Sequence, residues 1–444
     1  MTTTPPSSAA GWRKLAGAID LRPGEAKLLG WAGLYIFCLM SAYYALRPLR
    51  DTMGVAGGVD NLPWLFTGTL LAMLAANPLY AALVRRLPSR RFIPLVYLFF
   101  IGNIAVFGVL FALAGAGWQV WIGRAFFIWL SVFNLFVVSV FWALMTDVFS
   151  PAQAKRLFGT LAAAATVGAI AGSGVTAFLA RHLATAMLLV LAGALLVIAI
   201  ACVWRVLALA PARAADPADP AAADGGLEAV VGGSIFAGIT HTLRSPYLLN
   251  IGLYILLYTI TSTFLYFEQA AIARDAFPDN ASRTAFFATV DLIVNILTLG
   301  VQLFLTGRIL RWLGVAVAAA FLPALTLVGF GVFAAFPTIA VLVAFQVLRR
   351  VGNFGLARPT RELLFTVLPR EDKYKAKNVI DTVIYRLGDQ AGSWSYALLG
   401  ALGLSAAGVA LVALPLSLAW LANGLWLGRR QESMAKRRQA DGIE

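Results

Sequence analysis

The residues of this chain that could do chemistry stand in apolar surroundings that do not favour them. Tyr43, Arg47 and Asp51 recur at four-residue spacing, with Arg50 beside them, at the end of a long apolar run. On a helix they form one stripe of phenol, guanidinium and carboxylate. Arg349 and Arg350 are adjacent in "QVLRRVGNFGLARPTRELLF", which also holds Arg361 and Glu362. Arg386 and Asp389 stand three apart in "DTVIYRLGDQAGS", with Asp381 upstream. Glu268 follows "YTITSTFLYF", Asp291 lies in "FFATVDLIVN" one turn before Asn295, and Arg124 sits in a further apolar run. Guanidinium groups give fork-shaped hydrogen bonds to phosphate and carboxylate, so arginines lining a cavity suit an anionic ligand. Carboxylates inside apolar runs carry protons or act as counter-ions to arginines. Arg47, Arg50, Arg124, Arg349, Arg350 and Arg386 outnumber Glu268, Asp291, Asp381 and Asp389, and that balance favours an anion.

Each group also has a plainer use. The 43–51 stripe can serve as a Tyr/Arg belt at the membrane edge, although an outer loop is ordinarily poor in arginine. Arg386 and Asp389 can pair within one helix. Arg349 and Arg350 point in different directions, so one lines a cavity while the other pairs with a neighbouring span. Arg361 and Glu362, at the cytoplasmic end of a span, form a gate salt bridge or a surface pair. Glu268 and Asp291 are proton carriers or counter-ions. His182 and His241 fall in loops, as does the triplet "NAS" at 280. Cys38 and Cys202 lie in apolar runs, which argues against a disulfide framework and a metal site. No metal and no other cofactor is expected.

The elements that must position these groups follow from composition. Of 444 residues, 60% are hydrophobic and only 13% are charged, where a soluble domain carries about 25% charge. The chain therefore reads as an all-α, multi-pass membrane protein. Its first 26 residues are polar, with no short apolar core and cleavage site, so the first apolar stretch is kept as a span. The net charge of +14 follows from the basic residues that gather in cytoplasmic loops, without invoking nucleic acid.

A span needs about 20 apolar residues. Twelve are expected, near 27–50, 61–84, 92–114, 118–148, 156–180, 184–208, 246–273, 282–307, 313–335, 337–366, 376–401 and 404–428. Residues 1–26 form a cytoplasmic segment, 27–208 one six-helix half, 209–245 a linker rich in Ala, Pro, Asp and Gly, 246–428 the second half and 429–444 a basic tail. Arg85, Arg86, Arg90 and Arg91 follow the second span, and Arg308 and Arg311 the eighth, which puts both termini in the cytoplasm. A bacterial inner membrane and a monomer complete the expectation. Pro48 should kink the first span, and Gly352, Gly355 and Pro359 should bend or closely pack the tenth.

The halves repeat. "TDVFSPAQAKRLFGTLAAAATVGAIAGS" from Thr146 aligns without a gap with "TVLPREDKYKAKNVIDTVIYRLGDQAGS" from Thr366, an offset of 220 (366 − 146). Lys155 and Lys375, Gly168 and Gly388, and Ala171-Gly172-Ser173 and Ala391-Gly392-Ser393 coincide. Two parallel six-span halves are the architecture of the major facilitator fold. The repeat also acts as a control. Asp381, Arg386 and Asp389 fall on Leu161, Thr166 and Ala169. Neutral residues fill the same slots, so these charges exceed what packing requires.

Three motifs carry a resemblance. "LRPLRDT" at 46–52 resembles the first-span motif of the ATP/ADP translocases of intracellular bacteria and plastids. "QAKRLFG" at 153–159 is similar to their loop between spans four and five. "RPTRELLFTVLPREDKYKAKNVIDTVIYRLGDQAGS" at 358–393 resembles their tenth and eleventh spans. Matched by motif, the resemblance implies roles for Arg47, Arg50, Asp51, Arg361, Glu362, Lys375, Lys377, Asp381 and Arg386, and a nucleotide as cargo. Where that family often has "GKSGGS", this chain has Asp389 in "GDQAGS", a lysine lost from the cavity.

The expected function is secondary active transport of an anionic solute by alternating access, a nucleotide being the case that the resemblance implies. Arg47, Arg50, Asp51, Arg349, Arg350, Arg386 and Asp389 are the substrate-binding candidates. Glu268, Asp291, Arg361, Glu362, Lys375, Lys377 and Asp381 are the coupling and gating candidates. The alternatives are a proton-coupled exporter on the same fold, for which so many arginines are surplus, and a flippase-like protein handling lipids or envelope precursors. An enzyme is not expected: the sequence has no phosphate loop, HExxH or GxSxG.

Overall fold

The computed structural model describes residues 21–22, 24–86, 88–182, 184–210, 245–368, 377 and 379–440. Lys375, nearly all of the expected 209–245 linker and most of the expected N-terminal segment lie outside the described residues. Among the described residues all regular structure is helical. The helices are α1 (Glu25–Ala56), α2 (Leu62–Arg86), α3 (Ser89–Leu113), α4 (Ala116–Val148), α5 (Pro151–Leu179) and α6 (Thr185–Leu209). There follow α7 (Pro246–Ala276), α8 (Asn280–Phe304), α9 (Thr306–Ala335) and α10 (Ile339–Gly352). α10 continues through a π-helical turn, Asn353–Ala357, into Arg358–Leu364. A second π-helical turn, Ile380–Ile384, leads into α11 (Tyr385–Ala401), and α12 (Ala406–Ala440) closes the described chain.

Among the described residues, eleven helices are long and apolar enough to cross a membrane. The exception is α11, which has 17 residues and carries Arg386 and Asp389. Large side chains such as Phe99, Leu113 and Trp118 remain exposed. In water such a belt would be a liability; in lipid it is the expected outer face.

Local signals set several boundaries. Ser150 caps α5, with Pro151 at the first helical position and a reciprocal bond between Ser150 and Gln153. Asp279 precedes α8 and accepts the Ser282 N–H at 2.8 Å, a bond that holds its carboxyl below the ordinary range. Two boundaries change. α1 holds Pro48 within it and runs past the expected end at residue 50 to Ala56. The loop expected around Arg308 and Arg311 is helical, and the break falls at Gly314, with φ 75°. There the chain needs a left-handed residue, and Glu432 of α12 accepts the Ala316 N–H at 3.0 Å as the helix restarts.

The chain divides into two compact units. One holds α1, α2 from Leu71, α3 to α6 and α8 as far as Leu292; the other holds the start of α2, α7, the rest of α8 and α9 to α12. In the first, Tyr35 is fully buried against Phe141, with ring centroids at 5.0 Å, and its hydroxyl meets that of Tyr97. In the second, Trp420 lies behind Tyr254 and Tyr258, at 5.3 and 5.9 Å.

The repeated glycines do the same work in each unit. A Cβ on Gly168 or Gly172 of α5 would collide with the backbone of Phe37 or Ser41 in α1. A Cβ on Gly388 or Gly392 of α11 would press on Leu256 and Thr259, or Ile260 and Thr263, of α7. Small residues one turn apart let two helix backbones touch. Leu256 and Ile260 each lie one residue before the positions that the offset of 220 pairs with Phe37 and Ser41, so each unit uses nearly the same helix seam.

Candidate functional site

In the first unit, the stripe of α1 divides into two ion pairs. Arg47 Nη1 donates to Asp291 Oδ1 of α8 at 3.1 Å, and the Asp291 side chain is only 3% exposed. Arg50 donates through Nε and Nη2 to Asp51 Oδ1, at 3.0 and 2.6 Å, and lies 5.0 Å over the Phe127 ring. Thr52 and Thr284 hydrogen-bond at 2.9 Å one turn beyond. Asp291 is therefore the counter-ion of Arg47, one of the two roles left open for it. The intramembrane Arg124 stacks on Trp121 at 4.6 Å.

The same unit holds a group that the sequence did not suggest. Glu25, at the start of α1, accepts hydrogen bonds from Arg156 Nη2 at 2.8 Å and from Gln153 Nε2 at 3.0 Å. Both donors belong to the "QAKRLFG" stretch. That stretch ties the first turn of α5 to the first turn of α1.

In the second unit, Arg349 is buried to 2% exposure. Its donors reach Thr326 Oγ1 on α9 at 3.2 Å and, on α7, Ser262 Oγ, the Tyr258 carbonyl and Thr261 Oγ1, each at 3.0 Å. The guanidinium also lies 5.1 Å over the Tyr258 ring. These neutral oxygens take the place of water around the charge and pin α10 to α7 and α9. Arg349 is thus the member of its pair that engages neighbouring spans; Arg350 is half-buried on another face. The geometry of Arg349 fits a positioning role better than contact with cargo.

Arg361 and Glu362 each turn to a different partner. Arg361 Nη2 lies 3.4 Å from Asp381 Oδ1, and Glu362 accepts from Lys377. Both partners come from the segment that leads into α11. Arg386 Nη1 donates to Asp389 Oδ2 at 3.2 Å within α11, with side chains 37% and 16% exposed. The internal pair therefore forms, and its arginine stays accessible. Glu268 is 2% exposed and accepts the Tyr396 hydroxyl at 3.2 Å.

Spacing also missed Tyr258, Asn353, Arg358 and Tyr385. With Arg361 they line a small cavity of about 20 Å³ inside the second unit. The available signal was "VGNFG", whose Gly352 precedes and Gly355 lies within the π-helical turn that carries Asn353.

With this geometry in view, likeness to known proteins decides the family. The profile of the TLC ATP/ADP transporter family matches residues 118–430, well over half of the chain. The chain belongs to the TLC ATP/ADP transporter family. Two of the three motifs that carried the resemblance lie inside the matched stretch, and "LRPLRDT" precedes it. Among relatives, this TLC-family chain is 25% identical over 180 residues to ADP,ATP carrier protein 1 of Chlamydia muridarum (strain MoPn / Nigg). That match covers 36% of this chain and 34% of the relative, so the chain spans about a third of the length of the curated relative that it matches.

Solved structures extend the likeness of this TLC-family chain to nearly its whole length. A bacterial homologue of the iron transporter ferroportin, in an inward-facing state, matches with a TM-score of 0.61 at 13% identity, over 90% of this chain and 99% of that one. The POT family transporter PepTSo matches with a TM-score of 0.60 at 13% identity, over 93% and 98%. At such identities the likeness speaks to fold, and the fold is the major facilitator fold that the repeat led us to expect.

Proposed function

We propose that this chain is a secondary transporter of an anionic solute, with nucleotides as the substrate class, exchanging one such anion for another across a bacterial inner membrane. Family membership supports the class. The observation that carries the reading is the state of the arginines inside the spans. Burying a guanidinium without compensation is costly, and Arg47, Arg50 and Arg386 each stand against a carboxylate. Such carboxylates act as stand-ins for cargo. An arriving phosphate or carboxylate competes for the same donors, so the arginine is satisfied in both states. Arg386 suits this exchange best, because its guanidinium is the accessible partner while Asp389 is half-buried.

On this reading the two six-helix halves, 27–208 and 246–428, and the cytoplasmic position of both termini go with the transport cycle. The test is counterflow. Proteoliposomes containing the full chain and preloaded with ATP or ADP should release label faster when unlabelled nucleotide is added outside. If a panel of nucleotides neither enters nor accelerates release, and other organic anions do, the nucleotide class is wrong.

One observation favours a second reading, in which transport is coupled to protons. Glu268 is buried beside Tyr396, and among the described residues no basic group stands within salt-bridge distance of it. A carboxyl without a cation is a natural proton carrier. Uptake driven by an imposed pH gradient, and lost in Glu268→Gln, would establish it.

A further inference from the structure

α12 does not stop where its repeat stops. The offset of 220 places Leu209, the last residue of α6, on Arg429 (209 + 220 = 429). α6 ends there, whereas α12 continues to Ala440, 11 residues further (440 − 429). The apolar part of α12, 406–428, spans about 34 Å at about 1.5 Å per residue, a little more than a hydrocarbon core of about 30 Å. Arg429 and Arg430 therefore stand at the edge of the membrane, and the extension projects beyond it.

One face of this helix end has no use within the molecule. Ala422, Leu425, Trp426, Arg429, Arg430 and Ser433 recur at three- and four-residue spacing and line an open groove of about 410 Å³. Packing falls to other side chains: Leu427 is fully buried, Gly428 lies against the backbone of Ala316, and Glu432 accepts the Ala316 N–H at 3.0 Å. Trp426 is 43% exposed, and Arg429 and Arg430 are exposed. Among the described residues neither guanidinium has an ion pair or a hydrogen bond, and the side chains of Trp426 and Ser433 make no hydrogen bond. Glu432, the one acid between 429 and 440, is engaged by α9 and does not answer the five basic residues there. The repeat shows that the fold does not require this chemistry, since Val206, Leu209 and Ala210 fill the slots of Trp426, Arg429 and Arg430.

Two guanidinium groups without a counter-ion call for an anion, and at this depth the bilayer supplies one, the phosphate diester of a lipid. Arginine forks match phosphate oxygens. Helical side chains lean toward the N-terminus, so both arginines reach back toward the level of Trp426. Tryptophan settles at headgroup level, and Ala422 and Leu425 lie on the hydrocarbon side of it. A soluble anion would use the arginines and leave that apolar half of the groove empty.

We propose that this face of α12 binds one anionic glycerophospholipid. Arg429 and Arg430 hold the phosphate diester, Ser433 donates to the headgroup, and Trp426, Leu425 and Ala422 receive the glycerol backbone and the first part of an acyl chain. The site is independent of which cargo the chain carries.

The full chain, purified in a non-ionic detergent, is titrated with dioctanoyl phosphatidylglycerol or dioctanoyl phosphatidylcholine, and bound lipid is counted by native mass spectrometry. Saturable binding of phosphatidylglycerol, tighter than that of phosphatidylcholine, is expected. Arg429→Gln with Arg430→Gln should weaken phosphatidylglycerol about ten- to thirty-fold, the scale for two basic groups beside an anionic surface, and leave phosphatidylcholine unchanged. Arg429→Lys with Arg430→Lys keeps the charge, loses the forks and should recover part of the loss. Both arginines are exposed, so the lipid-free variants should unfold at the temperature of wild type. Trp426→Ala should cost several-fold and reports on the apolar half. Arg437→Gln with Arg438→Gln removes the same charge further along the helix and should change little. Equal losses in the two glutamine pairs would mean a general attraction to the basic tail and overturn the site. Equal binding of both lipids by wild type, or unchanged affinity in both Arg429→Gln with Arg430→Gln and Trp426→Ala, overturns it as well. Glycerol phosphate at the same concentration should leave the lipid in place; if it displaces it, the groove takes a soluble phosphate and the lipid assignment is wrong.

Discussion

If Asp389 stands in for cargo, the two members of the Arg386–Asp389 pair should move affinity in opposite directions. The pair is a single contact of 3.2 Å, with Arg386 37% and Asp389 16% exposed. A pair so open to its surroundings is worth at most about 1 kcal/mol. Asp389→Ala releases that competitor, so nucleotide should bind up to about five-fold tighter. Arg386→Thr removes a hydrogen bond to a charged group, worth about 1.5–3 kcal/mol, and should weaken binding about ten- to a hundred-fold. That single change leaves a half-buried carboxylate without its partner, so stability must be read separately. The double change Arg386→Thr with Asp389→Ala copies Thr166 and Ala169 of the N-terminal repeat. It should fold like wild type and bind as weakly as Arg386→Thr alone. Equilibrium binding in detergent, with a thermal unfolding midpoint for each variant, provides both readouts. If Asp389→Ala weakens binding and the double variant binds like wild type, the pair only fastens α11 to itself.

Four further outcomes follow from the same structure. Asp291→Asn leaves Arg47 without its carboxylate and should cost about 3–5 kcal/mol, the usual penalty for breaking a buried pair; the double change to leucine at 47 and 291 should recover much of the lost thermal stability. Gly388→Val should press on Thr259 and Leu256 and sharply lower the folded yield, whereas Gly400→Val, where no atom lies within 4 Å of an added Cβ, should not. Glu268→Gln should flatten any pH dependence of uptake, and an unaltered profile removes Glu268 from coupling. Reporter fusions at Ala221 and after Glu444 should both read cytoplasmic, and an external signal at either one overturns the proposed orientation.

What could be read in advance depended on how local the interaction is. The offset of 220 picked out Gly168, Gly172, Gly388 and Gly392, and each of them meets a neighbouring helix at close range. The Arg386–Asp389 pair was legible because i and i+3 share a helix face. The partner of Arg47 was not, since Asp291 is 244 positions away and tertiary packing alone selects it. Glu25 is hard to read because the apolar run begins only after Lys27, so the acid that starts α1 falls in the polar segment before it. Arg349 announced itself as a buried charge, but its neutral oxygen shell comes from two other helices that no spacing links to it. Asn353 was signalled only by the glycines around it, because a π-helical turn shifts the register of whatever follows and periodicity assumes a constant register.

The glycine seams have an evolutionary consequence. A helix pair held by backbone against backbone asks almost nothing of its other faces, since the register is fixed by where side chains are missing. Duplication of such a pair yields two copies whose remaining surfaces can drift independently without loosening the joint. The C-terminal copy shows that licence in use: it carries Asp381, Arg386 and Asp389 where the N-terminal copy keeps Leu161, Thr166 and Ala169, around the same four glycine positions. New polar function could thus be added to one copy by substitution alone, with the ancestral packing left as it was.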